Sequence, residues 1–466
     1  MSGNQAVPPA DIVEVRTLIF GGGLTGLTTG YFLDKLARES GDSSLGNWLL
    51  VERDNRLGGL TRTEVIDGYH FDHTGHWLHL RYPEMKQFVQ DVMGDAMLRV
   101  ARKSRIWSHG ALTHFPFQAN LHGLPLDVVQ ECVQGAIEAA LSEARGDFAA
   151  PTDFRDFCMQ RFGKGITERF MVPYNTKLWG CPPEEIAADW CSRFLPRPDL
   201  KQIVAGALGL IDEKAGYNAS FVYPATGGIE TFAKSIACHL PAAKVRLNTQ
   251  PVSLDLDRHL ATLSDGTVVR YERIVSSVPL PDLFGLMVAT PEPVQTAVSQ
   301  LRCTSLRYLC YGINQPDVLD DIQWLYVPED KHHFYRIGSF SNAVPSLAPA
   351  GKSSLYVEVA NDRTASDDEV KQDVRQFLRD HGWLHSDDQI EVEEVRHIRY
   401  GYVVFDRNYF GAKEAILPYL LGKGVHSLGR YGAWVYSSME DAMWDGHQYA
   451  AGLAAGSLPP AAAILT

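Results

Sequence analysis

Residues 17–36 constrain the fold more tightly than any other stretch. Thr17-Leu18-Ile19-Phe20 is an apolar strand that runs directly into Gly21-Gly22-Gly23-Leu24-Thr25-Gly26, and a helix-like segment, Leu27 to Leu36, follows. A strand, Gly-x-Gly-x-x-Gly and a helix in that order begin a dinucleotide site. Gly21 permits the tight turn, Gly23 lets the backbone approach a pyrophosphate, Gly26 lets helix and strand pack closely, and the helix N-terminus faces the phosphate charge. The glycine pattern alone would also fit a turn in another α/β unit. Here a second strand, Trp48-Leu49-Leu50-Val51, ends in Glu52, placed to accept hydrogen bonds from the adenosine ribose hydroxyls.

Arg56-Leu57-Gly58-Gly59 follows within a few residues. An acidic strand end followed by an Arg-x-Gly-Gly turn resembles the FAD-dependent oxidoreductases of the amine oxidase and sugar-nucleotide mutase type. Spacing alone leaves NAD open; the resemblance favours FAD. So does Leu428-Gly429-Arg430-Tyr431-Gly432, which looks like the late strand and turn that return to a flavin in such proteins.

At 466 residues, 45% hydrophobic and 21% charged, the chain has the balance of a soluble protein of two or three domains. Its net charge of −13 argues against a general nucleic-acid or acidic-membrane binder, so an anionic substrate would need local arginines. Seven cysteines with no Cys-x-x-Cys pair read as reduced, buried thiols. With no signal-peptide pattern and no run of about eighteen apolar residues, the expected location is the cytoplasm, without a membrane span.

The expected fold is α/β: a Rossmann-like FAD-binding domain of the GR2 type, a helical subdomain and a mixed or antiparallel sheet that covers the substrate. Residues 1–95, 225–290 and 401–466 are assigned to the FAD-binding domain. The sheet domain takes 96–124, 206–224 and 291–400, and the helical subdomain 125–205. Within the last, Val128, Val129, Cys132, Val133, Ala136, Ile137, Ala140 and Leu141 recur at helical spacing. Ala37 to Asn47 reads as a polar insertion. Strands are predicted at 219–223, 245–247, 252–256 and 273–277, with a turn at Ser264-Asp265-Gly266-Thr267, and a helix near 368–380.

Several loops combine aromatics, amides and charge in a way no core requires: Pro116-Phe117-Gln118-Ala119-Asn120, Pro173-Tyr174-Asn175-Thr176-Lys177-Leu178-Trp179, Trp324-Leu325-Tyr326-Val327-Pro328-Glu329-Asp330, Phe334-Tyr335-Arg336 and Trp434-Val435-Tyr436. With Gly75-His76, Asn218-Ala219-Ser220-Phe221, Gly401-Tyr402 and the order Arg430 to Tyr436, they resemble the UDP-galactopyranose mutases, most closely the long eukaryotic-type enzymes. The resemblance runs in register over nearly the whole chain. It implies an isomerisation without net redox, in which N5 of reduced FAD attacks the anomeric carbon of a UDP-sugar. Such a protein needs no Ser, Cys or carboxylate nucleophile. It must keep the flavin reduced, with NAD(P)H or another reductant, and hold a diphosphate with arginines and tyrosines. An oligomer is compatible with this.

The resemblance also assigns residues. His76, Arg336 and Arg430 would be catalytic. Gly21, Gly23, Leu24, Thr25, Gly26, Glu52, Arg53, Gly58, Gly59, Leu60, Gly75, His76, Val252, Gly429, Arg430, Tyr436, Met439 and Glu440 would hold the cofactor. Arg336, one of Arg193 and Arg197, Tyr326, Tyr402 and Tyr436 would meet the diphosphate. Asn175, Trp179, Asn218 and Trp324 would line the sugar, and Phe117 and Gln118 the uridine. The bland alternatives are core packing for Trp179 and Trp324 and a surface ion pair for Arg336. His70, His73, His76 and His79 recur every third residue, but that spacing alternates faces along a strand, so no metal is expected.

The sequence departs from the family pattern at Phe115, where tyrosine is usual, at Val435, where arginine is usual, and at Ser438; the loop at 193–198 is respaced. UDP-galactose is the first-choice substrate, with other nucleotide sugars next. The alternative class is a flavin oxidase or desaturase acting on an amine or a porphyrin-like ring, which would share both flavin motifs.

Overall fold

The segment Thr17–Phe20 is buried throughout because the strand it ends, Ile12–Phe20, has parallel neighbours on both sides. A strand covered on both faces needs a continuous apolar run rather than an alternating one. Around it the first sheet is ordered Pro251–Asp255, Leu260–Leu263, Val268–Ser276, Ile12–Phe20, Trp48–Val51 and Val245–Arg246, with Val425–Ser427 also parallel to Val268–Ser276. The sheet therefore gathers strands from both ends of the chain. This computed structural model describes residues 12–188, 195, 197–210, 219–360 and 365–458.

The opening helix spans Leu24–Ser40, four residues beyond the predicted Leu36. Lys35 and Glu39 pair one turn apart, and Gly41 closes the helix in the left-handed conformation at φ 74°. The polar segment predicted from Ala37 thus starts as helix, because charged residues on a solvated face extend a helix as readily as they form a loop.

The second sheet is ordered Ile390–Ile398, Leu306–Ile313, Ser353–Ala360, Arg336–Ser339, Trp324–Tyr326, Ser104–Ser108 and Ala111–His114. Its two faces differ in chemistry. Leu325, Ile337, Leu355, Val357 and Val359 pack against Val370, Val374, Phe377 and Leu378 of the helix Asp367–Asp380. Each such buried side chain contributes about 1.5–3 kcal/mol. The alternate residues, Trp324, Tyr326, Arg336, Tyr356 and Glu358, therefore project from the opposite face. Four helices, Leu126–Arg145, Phe154–Ile166, Val172–Trp179 and Leu200–Ala207, form the helical block. Ser220–Pro224 pairs with Met97–Ala101 in a separate two-stranded sheet. No helix among the described residues is long and apolar enough to cross a membrane.

Candidate active site

Two glycine turns face each other at the C-terminal edge of the first sheet. Gly21 ends its strand with φ 98°, and the Gly58 N–H donates to the Gly22 carbonyl at 2.8 Å. A Cβ on Gly23 would stand in ordinary contact with the Gly59 Cα at 3.8 Å and meet no other described atom within 4 Å. The Glu52 carboxylate accepts the Gly22 N–H at 2.6 Å and the Asp54 N–H at 2.9 Å. These groups make a backbone-lined notch at the N-terminus of the helix Leu24–Ser40, whose unpaired N–H groups and dipole favour an anion. Leu24 and Thr25 are buried in the first turn of that helix, and a Cβ on Gly429 would lie 2.4 Å from Thr25 Oγ1, so the late turn closes on the early one. Leu60 is half-buried just past Gly59. Arg53 projects outward, and Val252 is exposed on the strand Pro251–Asp255. Met439 and Glu440 open the helix Met439–Ala454, and the Glu440 carboxylate is committed to the Tyr82 N–H at 2.8 Å and to Arg81 Nε at 3.0 Å.

The polar face of the second sheet carries the other half of the site. Strand register sets Tyr326, Arg336, Glu358 and Tyr308 in one cross-strand row. Arg336 donates through Nε and Nη2 to Glu358 at 2.9 and 2.7 Å, and Tyr335 donates to the same carboxylate at 2.5 Å. Nη2 also reaches Tyr402 Oη at 3.4 Å, whereas Nη1 makes no hydrogen bond to a described residue. Burial opposes the Arg336 charge, yet Glu358 holds its pKa well above the usual arginine value. Arg430 lies beside the stacked Tyr402 and Tyr436 rings, 5.3 and 5.0 Å from their centroids, and donates to the Ser437 carbonyl at 2.7 Å. Trp179 lies 5.8 Å from the Tyr402 ring. Burial raises Tyr402 to about 12 against the pull of Arg336, so its phenol stays protonated.

His76 links the two halves. Burial lowers its pKa to about 4, and Arg430 adds to the shift, so the imidazole is neutral. Gly75 beside it permits close approach to the second sheet: a Cβ there would lie 2.3 Å from Tyr356 Oη. Trp77 continues the contact, 5.4 Å from the Trp324 ring.

The structure thus gathers Arg336, Tyr326, Trp324, Tyr402, Tyr436, Arg430, Trp179 and His76, and leaves others apart. Arg197 is exposed and lies over the Phe157 ring at 5.4 Å, in the helical block. The Phe117 ring is fully buried, stacked on Phe170 at 4.7 Å, so the half-buried aromatic toward the site is Phe115, stacked on Tyr326 at 4.9 Å. Gln118 is buried beside Phe117. Asn175 accepts the Trp179 indole N–H at 3.2 Å, which orients that ring. Arg193 and Asn218 lie outside the described residues.

Three residues went unread in the sequence. Glu358 is fully buried, and its one signal was an acid within the apolar strand Ser353–Ala360 at the parity of Tyr356. Arg102 donates to Tyr326 Oη at 3.0 Å and lies over the Trp324 and Phe115 rings at 4.7 and 4.9 Å; nothing local marked it. Lys177 was quoted only as part of a motif, and its ammonium ties down the 327–334 hairpin through the carbonyls of Val327 and Glu329 at 3.0 and 2.9 Å.

The model of the flavin-containing amine oxidoreductase family matches residues 24–415. The chain belongs to that family. A crystal structure of reduced UDP-galactopyranose mutase is similar at 26% identity and TM-score 0.88, with 97% of this chain and 99% of that one covered. A proposed protoporphyrinogen oxidase from Exiguobacterium sp. 255-15 shares the fold at 16% identity and TM-score 0.72, with coverage of 96% and 100%. So does putrescine oxidase in complex with putrescine, at 16% and 0.64, with coverage of 95% and 100%. The cofactor of the family member described here is FAD, and the notch suits it. The side of Gly23 toward Gly59 is the cradle a larger side chain would fill, and because the Gly21, Gly22 and Gly58 N–H groups are taken by Val51, Glu52 and Gly22, a pyrophosphate would be held by the first-turn N–H groups of the helix Leu24–Ser40.

Proposed function

We propose that the protein is a sugar-nucleotide mutase that interconverts the pyranose and furanose forms of a UDP-sugar, UDP-galactose first. The observation that carries this reading is the polar wall of the second sheet: two arginines, Arg336 and Arg430, set among Tyr326, Tyr402 and Tyr436 in an acidic protein. An amine substrate calls for no paired cations; a diphosphate does. The similarity to UDP-galactopyranose mutase over nearly the full chain supports it.

Bound, reduced FAD would supply a nucleophilic N5. The residues of this chain would do the rest. The notch at Gly21–Gly26, Glu52 and Gly58–Gly59 would hold the cofactor, with Gly429 and the backbone at Met439–Glu440 closing over it. Arg336 Nη1 and the tyrosine hydroxyls would bind the diphosphate, Trp179 and Trp324 would limit the sugar's freedom, and neutral His76 would donate or accept a hydrogen bond without adding charge. Residues 225–290 and 401–466 would complete the FAD-binding domain begun by 1–95. A nicotinamide-type reductant in the cytoplasm would keep the flavin reduced.

The test is incubation of dithionite-reduced protein with UDP-galactose and, separately, UDP-galactofuranose, under anaerobic conditions. The mutase reading expects each to form the other without stoichiometric use of reductant. The family model favours one competing reading, an oxidase. Recovery of both UDP-sugars unchanged, together with oxygen consumption matched to an oxidised amine in a separate aerobic incubation of the FAD-loaded protein with amines, would replace the mutase by that oxidase.

A further inference from the structure

Behind the turn that carries Arg430 lie buried charges that the proposed chemistry does not use. Lys413, on the helix Tyr409–Gly422, is 1% exposed. Its Nζ donates to Tyr409 Oη at 3.2 Å, and Tyr409 donates in turn to the Trp434 carbonyl at 2.7 Å. From the other side Asp445, on the helix Met439–Ala454, accepts the Gly429 N–H at 2.8 Å. Burial lowers Lys413 to about 8 against the pull of Asp445, and raises Asp445 to about 6. In both, burial is the larger cause, and the attraction between Lys413 and Asp445 works against it.

The turn between these two anchors needs holding. Gly429 has φ 73°, and Trp434, a bulky residue, has φ 53°. A tryptophan stays in the left-handed region only when its surroundings fix it there. The Trp434 indole is also buried with its Nε1 unpaired, so the side chain itself gains no hydrogen bond by standing there. Between the anchors, Arg430 reaches the Ser437 and Gly401 carbonyls at 2.7 and 3.3 Å, and Tyr436 follows two residues after Trp434.

We infer that Lys413, Tyr409 and Asp445 are positioning residues: a polar brace, contributed by two helices, that locks the Gly429–Trp434 turn and so fixes where Arg430 and Tyr436 stand. None of the three belongs to the arginine–tyrosine wall. Only the nucleotide-binding arm of the inference rests on the mutase reading.

The experiment compares FAD-loaded Tyr409→Phe, Lys413→Met, Lys413→Arg and Asp445→Ala with the wild type in three readouts: FAD content, the visible circular dichroism of the bound flavin, and UDP affinity. Tyr409→Phe and Asp445→Ala should keep FAD yet alter the flavin dichroism and weaken UDP binding by about tenfold, the scale of one displaced charge-assisted contact. Lys413→Met should match Tyr409→Phe, and Lys413→Arg should restore the wild-type dichroism. If Lys413→Met fails to fold, Tyr409→Phe decides, since it removes one hydroxyl and keeps the ring. Wild-type dichroism and UDP affinity in both Tyr409→Phe and Asp445→Ala, whatever their melting temperatures, would overturn the brace. Failure of the wild type to bind UDP would count against the mutase reading alone, and the flavin dichroism would still decide the brace.

Discussion

The glycine notch and the arginine–tyrosine wall are built from different material. The notch is backbone: turns at 21–23 and 58–59, joined by the Gly58 N–H to Gly22 carbonyl bond, with the Glu52 carboxylate holding the Gly22 N–H. The wall is side chains, and its central cation is oriented by an acid 22 residues away on a neighbouring strand. A backbone site is specified by local residues that permit its conformation. A side-chain site is specified by partners that only the tertiary fold brings together.

Filling the notch should have the largest effect. Gly23→Arg places a long side chain between the two glycine turns, so the purified protein should lose its flavin absorbance and not regain it with added FAD, while far-ultraviolet circular dichroism stays native. Retention of full flavin would separate the notch from the cofactor.

The wall should fail differently. Arg336→Ala leaves Glu358 buried without its partner, a change that costs about 3–5 kcal/mol of stability. Arg336→Met combined with Glu358→Gln should recover most of that in a denaturant titration and still retain FAD. A double variant no more stable than Arg336→Ala would show that the pair is not the source of the loss.

A smaller effect tests how Arg336 is used. Because Nε and Nη2 are held by Glu358, Arg336→Lys should give its single ammonium to Glu358 and lose the Nη1 contact, weakening UDP by about tenfold. Affinity equal to wild type would mean that charge alone, without the fork, is sufficient.

The smallest effect is expected from pH. Arg336 and Tyr402 are shifted upward and His76 downward to about 4, so these three groups keep their charge states between about pH 5 and 9. UDP-galactose has no phosphate titrating in that range either, so any change in its affinity there should be confined to the brace, where Asp445 takes up a proton near pH 6 and Lys413 loses one near pH 8. Below about pH 5 protonation of His76 adds positive charge, and affinity should rise. A fall in affinity centred near the ordinary histidine value as pH rises would mean that His76 is charged in the complex.

The same contrast explains what the sequence disclosed. The α/β fold, the strands at 17–20 and 48–51 and the turns at 58–59 and 265–266 were legible because propensity and glycine placement act locally. The wall was legible only in part. Tyr326 and Arg336 could be paired because a short hairpin fixes their register. Glu358 could not be assigned to Arg336, because nothing in the sequence sets the register of Ser353–Ala360 against Arg336–Ser339. The same ignorance hid the buried state of Phe117, which depends on Phe170 in the helical block. Arg336 does form an ion pair, but with the fully buried Glu358 rather than at the surface, and Nη1 is left outside that pair.

The most direct test of the wall as a diphosphate site is calorimetric titration of UDP into FAD-loaded wild type and into the Arg336→Met/Glu358→Gln double variant, which keeps the fold while removing the cation. A charge-assisted arginine–phosphate contact contributes about 1.5–3 kcal/mol, so the wild type should bind about ten- to more than a hundredfold more tightly at equal FAD content. Equal affinity in the two proteins would remove Arg336 from the diphosphate site, and the absence of UDP binding to the wild type would contradict the sugar-nucleotide account itself.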